Sequence, residues 1–302
     1  MTGDLSAHGL GGQQDLPISL TLAVTGAVAA LVVSFTVLAI AWRHPRYDAE
    51  TDGRPVPAAL DRLVAHPAFA VVLRVIGMVL FLYTVMVAVL GVDKLINPFF
   101  GIVFVWLWVG IVPMSLLVGP FYKAISPVRT LHLLIARAAG TDPDQGTNRY
   151  SERLGYWPAA FGLLAFVWLE LVSPSSTELG PVRLWFAVYV GAMVVGGALF
   201  GSGFFARADP FEVYSTLVGK ASIWAVREGR LLVRSPLSNL SSIEPRPGLI
   251  GVVGVLFGST GFDSFGDSPA YVSFVQGTDI NGNLINNATL VAFCLAATGI
   301  IA

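Results

Sequence analysis

The chain has 302 residues, 55% hydrophobic and only 12% charged, with mean hydropathy +0.72 and a formal net charge of −1. Soluble domains carry roughly 25% charged and about 45–50% apolar residues. So little polar surface excludes a water-soluble globule and points to a polytopic membrane protein.

The chain opens with a polar stretch, residues 1–16. It has neither an apolar h-region nor a basic n-region, so it does not read as a signal peptide. The tripeptide Leu5-Ser6-Ala7 resembles the end of a cleavage site, and a start further upstream would make His8 a mature N-terminal residue. A bilayer core about 30 Å thick needs about 20 apolar residues in a helix. Seven runs qualify: 17–42, 68–92, 99–118, 156–172, 184–203, 248–268 and 288–302. The second contains Arg74, the third Pro113, and the fourth ends near Glu170. Pro245 and Pro247 block backward extension of the sixth, which reaches the far side only by running through Asp263. A re-entrant sixth run is the alternative, and it changes the side of residues 263–287. At 1.5 Å per residue the seventh covers only about 22 Å and reads as incomplete. The expectation is an all-α, polytopic transmembrane helical bundle of six or seven spans in a single integral domain, 1–302.

Basic residues orient it. All but two of the 18 Lys and Arg residues fall in or around three loops, after the first, third and fifth runs, counting Arg74 near the start of the second run with the first loop. Only Lys94 and Arg183 belong to the other side. The positive-inside rule then puts the N-terminus outside and the basic loops in the cytoplasm, the pattern of a multi-pass plasma-membrane protein.

Between the spans, Val128–Ala139 places Leu131, Leu134, Ile135 and Ala138 on one face. This fits a short helix in the inner interface or a cytoplasmic helix packed on the bundle. Residues 213–232 are helix-compatible. Arg227, Arg230 and Arg234 there read as topology signals and contacts to anionic lipid, with no aromatic interleaving to suggest nucleic acid. Gly248, Gly251, Gly254 and Gly258 share an arc, and Gly197 and Gly201 form a GxxxG; such faces allow close helix approach, to this chain or to a membrane-protein partner. No internal repeat supports an inverted-repeat transporter. The span interiors hold almost no ionisable groups, against a proton pump; Glu170 is the exception, either snorkelling outward or a buried functional acid.

The outer side collects Asp4, His8, Asp15, Asp93, Glu178, Asp263, Asp267 and Asp279. Two stretches concentrate chemistry there, HGLGGQQDLP at 8–17 and FGSTGFDSFGDSP at 257–269. Both join glycines, read as turn formers at helix ends, to carboxylates, and the first adds the imidazole of His8. Such a cluster can hold a divalent metal that activates water. His8 and Asp15 are candidate metal ligands; Asp263 and Asp267 are candidate ligands or general bases. The plainer alternative is that Asp15, Asp263 and Asp267 are cap and turn residues. A lone cysteine, Cys294, excludes an intrachain disulfide, and Asn287-Ala288-Thr289 matches a glycosylation sequon.

These two stretches, with GPFYKAISPVRTL at 119–131, resemble motifs of actinobacterial membrane proteins labelled fenitrothion hydrolase, and the resemblance covers most of the chain. It implies hydrolysis of an organophosphate triester at the membrane, and it assigns no catalytic residue. The alternative is a non-enzymatic, metal- or solute-handling membrane protein or a subunit of a larger membrane complex.

Overall fold

The computed structural model describes residues 19–41 and 47–302, and contacts divide the chain into two units, Met1–Asp48 and Ala49–Ala302. The first unit contributes α1 (Leu20–Ala41), 22 residues without a charge.

The second unit begins with β1 (Arg54–Pro55), α2 (Ala58–Ala65) and α3 (Pro67–Leu90). Pro67 opens α3, and the His66 ring accepts from the Ala68 N–H at 3.1 Å, satisfying a donor the helix leaves free. Next, α4 (Pro98–Phe100) is capped by Asn97 and runs on as a π-helix over Gly101–Val109. The Gly110 N–H reaches back to the Val105 carbonyl at 2.8 Å, and a bend of 43° leads into α5 (Ile111–Val118). Pro113 has no N–H to give Val109, so the wide register and the bend have a local cause. There follow α6 (Tyr122–Ile125), α7 (Pro127–Ala138), α8 (Trp157–Leu171), α9 (Leu179–Phe200), α10 (Phe205–Ala208) and α11 (Pro210–Gly219). The chain continues through β2 (Trp224–Arg227), β3 (Arg230–Val233), α12 (Pro236–Leu240), α13 (Leu249–Gly266), α14 (Pro269–Gly277) and α15 (Gly282–Ile301).

The fold is helical, and five described helices are long and apolar enough to cross a membrane: α1, α3, α9, α13 and α15. The bent α4–α5 segment makes six if it counts as one span. α8 is apolar but has only 15 residues. Exposed side chains such as Val79, Leu82 and Val89 on α3, and Leu184, Val188 and Val195 on α9, leave large apolar faces, far more than a water-facing surface tolerates.

Contacts gather the helix ends into two sets. At one end the Leu179 N–H meets Asp93 at 2.8 Å, Arg183 donates to the Ala88 carbonyl at 3.2 Å, and Trp168 donates to Asn287 at 2.6 Å. At the other, the Tyr156 N–H meets the Pro247 carbonyl at 2.7 Å and the Asn148 N–H meets that of Leu199 at 2.8 Å. Lys94 and Arg183 thus fall at one end, as their place in the sequence requires.

Several expectations change here. α13 runs on through Asp263, as the 248–268 run anticipated, but 257–266 is helix rather than glycine-rich turn. The reason is its partner. α15 runs antiparallel to α13, and a Cβ at Gly258 would lie 2.5 Å from the Cys294 Cα, and one at Gly254 1.9 Å from the Thr298 hydroxyl oxygen. The glycine face offered to a partner protein is therefore filled from within the chain, by α15 and, at Gly251, by Trp157. α15 starts at Gly282, earlier than expected, because Asn281 caps it at 2.9 Å from the Asn283 N–H; its 20 residues span about 30 Å. Asn287 of the sequon lies inside this helix, bonded through both its carbonyl and its amide.

Residues 213–232 are not one helix. α11 stops at Gly219, and β2 and β3 form a hairpin, with β1 pairing on the other side of β3. Glu228 and Gly229 have φ of 52° and 75°, the double left-handed turn that matches strand twist. Arg227 and Arg234 donate to the carbonyls of Glu50, Asp52 and Ala49, so this unit's own backbone occupies groups expected to meet lipid.

Candidate functional site

The segment after α5 enters the bundle. The Ile125 carbonyl oxygen sits where a Cβ at Gly77, near the middle of α3, would be 1.8 Å away, so only glycine admits it. α7 then packs between α3 and α9 with Val128, Thr130, His132 and Ala136 buried, and the His132 ring donates to the Pro143 carbonyl at 2.9 Å. The helix is packed on the bundle by this face, while Leu134, Ile135 and Ala138 of the apolar face read from the sequence stay exposed.

This intrusion carries charge inward on elements between the spans. Arg129 of α7 grips Glu212 of α11 with two donors, Nη2 to Oε1 at 2.7 Å and Nε to Oε2; Glu212 is 1% exposed. The Arg129 guanidinium also stands 5.0 Å over the Phe205 ring, adding a cation–π contact. Asp209 caps α11: its Oδ1 accepts from the Phe211 N–H at 3.0 Å and the Glu212 N–H at 3.4 Å. The same oxygen accepts the Tyr189 hydroxyl at 3.0 Å, and that hydroxyl lies 3.0 Å from the hydroxyl of Tyr122. Ser115 and Ser215 bond each other at 2.9 Å beside the Tyr122 backbone. Tyr189 sits midway along α9, so the network lies at mid-height.

Charge balance within the network is uneven. Arg129 is committed to Glu212, while Asp209 is 0% exposed with its Oδ2 buried and without a hydrogen-bond partner among the described residues. Burial, and after it the charge of Glu212, lifts the Asp209 carboxyl to about 7. Aromatic rings enclose the centre: Phe211 lies 5.4 Å from Phe166 and 5.3 Å from Tyr189, and Trp185 stacks on Tyr189 at 5.7 Å.

Beside the network lies an apolar cavity of about 1710 Å³, half open at the surface of the bundle and bounded by α3, the α4–α5 segment, α6 and α9. Trp106, Met114 and Phe186 are among its walls, and Tyr122 and Tyr189 border it. At the hairpin end Trp224 lines it and donates to the Leu117 carbonyl at 2.6 Å. Lys220 also lines that end, held below its usual value by burial and then by Arg234, with its ammonium on Ser242 at 2.6 Å.

Of the residues singled out from the sequence, His8 and Asp15 lie outside the described residues. Asp263 lies on the last turns of α13 and Asp267 at its C-terminal cap, both exposed. Asp263 acts electrostatically on Glu170, near the end of α8, whose Oε2 is buried with no hydrogen-bond partner among the described residues. No group of three or more His, Cys, Asp or Glu side chains among the described residues is arranged to hold a metal ion. The acidic end and the central network are separate places. Sequence reasoning missed the second; the signal available was Asp209-Pro210, a cap followed by a first-turn proline. No family model, curated protein or solved structure matches the chain.

Proposed function

We propose that the chain is a multi-pass plasma-membrane protein, N-terminus outside, whose central cavity receives an apolar solute from the bilayer. The cavity carries this reading: about 1710 Å³, lined mostly by apolar side chains, with Tyr122 and Tyr189 among the lining residues. Pockets for small ligands are mostly apolar with a few placed polar groups, and about 300–1,000 Å³ suffices for a drug-sized one. This one has room for a longer or bulkier neutral molecule. Such a solute partitions into the membrane and gains by exchanging lipid contacts for a fitted wall plus one hydrogen bond.

A diazirine-bearing alkyl ketone tests it in bilayer discs. Labelling should concentrate on buried residues lining the cavity, such as Val103 and Ile111, and fall when Met114→Trp fills the space. Labelling spread evenly over the lipid-facing side chains of α3 and α9 would sink the reading.

A second reading has its own support. The motif resemblance implies hydrolysis of organophosphate-type esters, and Glu170 beside Asp263 gives the acidic end a buried carboxylate oxygen without a partner. In that reading His8 and Asp15 contribute metal ligands from the outer side, and Asp263 and Asp267 hold and deprotonate a water. A metal assay of the purified protein, with fenitrothion as substrate, decides it. Absence of a divalent ion together with unchanged hydrolysis in Asp263→Asn ends it. In the non-enzymatic alternative the protein handles its solute without chemical change, alone or with a membrane-protein partner.

A further inference from the structure

Asp209 is a fully buried carboxylate to which no cation is bonded among the described residues. The groups facing it are known from each element around it: Tyr189 on α9, Tyr122 on α6, and Glu212 on α11 already paired to Arg129 on α7. A charge in such a place costs heavily unless paired, whereas a neutral carboxyl does not. The two hydroxyls continue outward from Asp209, each step 3.0 Å; both tyrosines line the cavity, and Tyr122 is the one farther from Asp209 along this chain of bonds.

We propose that Asp209 binds one exchangeable proton through the Tyr189–Tyr122 relay, and that this proton sets which hydrogen-bonding role the cavity offers. With Asp209 ionised, Tyr189 donates to Oδ1, Tyr122 donates to Tyr189, and the Tyr122 oxygen presents only lone pairs to the cavity. A proton arriving on the Tyr122 oxygen sends the original Tyr122 proton to Tyr189 and the Tyr189 proton to Asp209. One carboxylate is neutralised, one proton is taken up, and no electron moves. The chain now runs the other way, and Tyr122 points its O–H into the cavity. The protonated protein therefore selects neutral solutes that bear only acceptors, such as ketones and carboxylic or phosphoric esters. The ionised protein selects donors such as alcohols. Solute selection rests on the cavity reading above; the proton site does not.

Two measurements separate them. Infrared difference spectra of the protein in bilayer discs, without added solute, should show a protonated-carboxyl C=O band that titrates near neutrality and is missing in Asp209→Asn. Asparagine caps helices as well as aspartate does, so α11 keeps its start in this variant. Binding of 2-decanone and 2-decanol is then compared across pH. Ketone affinity should fall by about tenfold per pH unit above the titration midpoint, as the competent fraction falls. Decanol should show the opposite trend, and Tyr122→Phe should abolish both. Absence of a titrating band assignable to Asp209 overturns the proposal. A titrating band with neither probe bound at any pH overturns the cavity reading and, with it, the selection of solutes. Binding of both probes without pH dependence overturns the relay alone.

Discussion

The α13–α15 pair and the α7–α11 centre are both interior, and they are held by opposite means. In the first, backbone meets backbone: Gly254 and Gly258 remove side chains so that Thr298 and Cys294 can close in. Attraction there is dispersion over a tight, apolar contact, with hydroxyls such as Thr298 bonded within their own helix, to the Cys294 carbonyl at 2.7 Å. In the second, side chains bridge a gap between short elements: Arg129 to Glu212, Tyr189 to Asp209, Ser115 to Ser215. A glycine contact has no state to change. A network with one unmatched carboxylate has two, differing by a proton. The tight pair suits a scaffold, and the network suits a site.

Breaking the network at its ion pair should have the largest effect. Glu212→Gln leaves Arg129, 17% exposed in its side chain, without its counter-charge, and uncompensated buried charges cost about 3–5 kcal/mol. The thermal midpoint in detergent should drop sharply. Arg129→Met with Glu212→Leu together should restore much of it, since paired removal leaves no stranded charge. A double variant as unstable as the single one would show that the pair matters for more than compensation.

Asp209 comes next, with an effect that depends on pH. Its carboxyl is lifted from 3.8 to about 7, so the native state keeps a proton that the unfolded chain releases. Stability then falls as pH rises from about 4 to about 7 and levels above that, by as much as about 4 kcal/mol. In Asp209→Asn that slope should vanish, and above neutral pH the variant should be the more stable protein. Unfolding midpoints at pH 5, 6, 7 and 8 for the two proteins check it; parallel curves would refute the assignment.

The same contrast explains what could be read in the sequence. Helix runs and the glycine arc at 248–258 are local patterns, legible from hydropathy and spacing alone. What covered that arc was not legible, because the pairing of Gly258 with Cys294 is tertiary. The central network defeated sequence reasoning more fully. Arg129 and Glu212 are 83 residues apart, in stretches that read as cytoplasmic loop, and nothing local says that this loop turns inward at Gly77. The hairpin at Glu228-Gly229 was missed because 213–232 is helix-compatible in composition, whereas the turn depends on backbone geometry that glycine permits and propensity does not announce. His8 and Asp15 stay untouched by these contacts, being outside the described residues.

The scaffold side of the comparison can be pressed in turn. Gly258→Ala puts a methyl group against the Cys294 backbone, which cannot rotate away as a side chain would. Overpacking of this kind costs about 1–3 kcal/mol. The readout is the unfolding midpoint, with disulfide trapping between cysteines placed at 254 and 298 to show whether the helices have moved apart. An unchanged midpoint with unchanged trapping would mean that the close approach is not what holds the pair.

The smallest effect comes from Gly299→Ala, on α15. Nothing lies within 4 Å of a Cβ built there, so the substitution meets open space. Alanine loses less conformational freedom than glycine on entering a helix, a gain of about 0.5–1 kcal/mol at an unstrained interior position. The midpoint should therefore rise slightly, opposite in sign to Gly258→Ala on α13. Residue type and substitution are the same and each glycine lies within one helix of the packed pair, so the sign of the change reports what a facing backbone contributes. A loss of stability at 299 comparable to that at 258 would show that some other surface covers this end of α15 in the membrane.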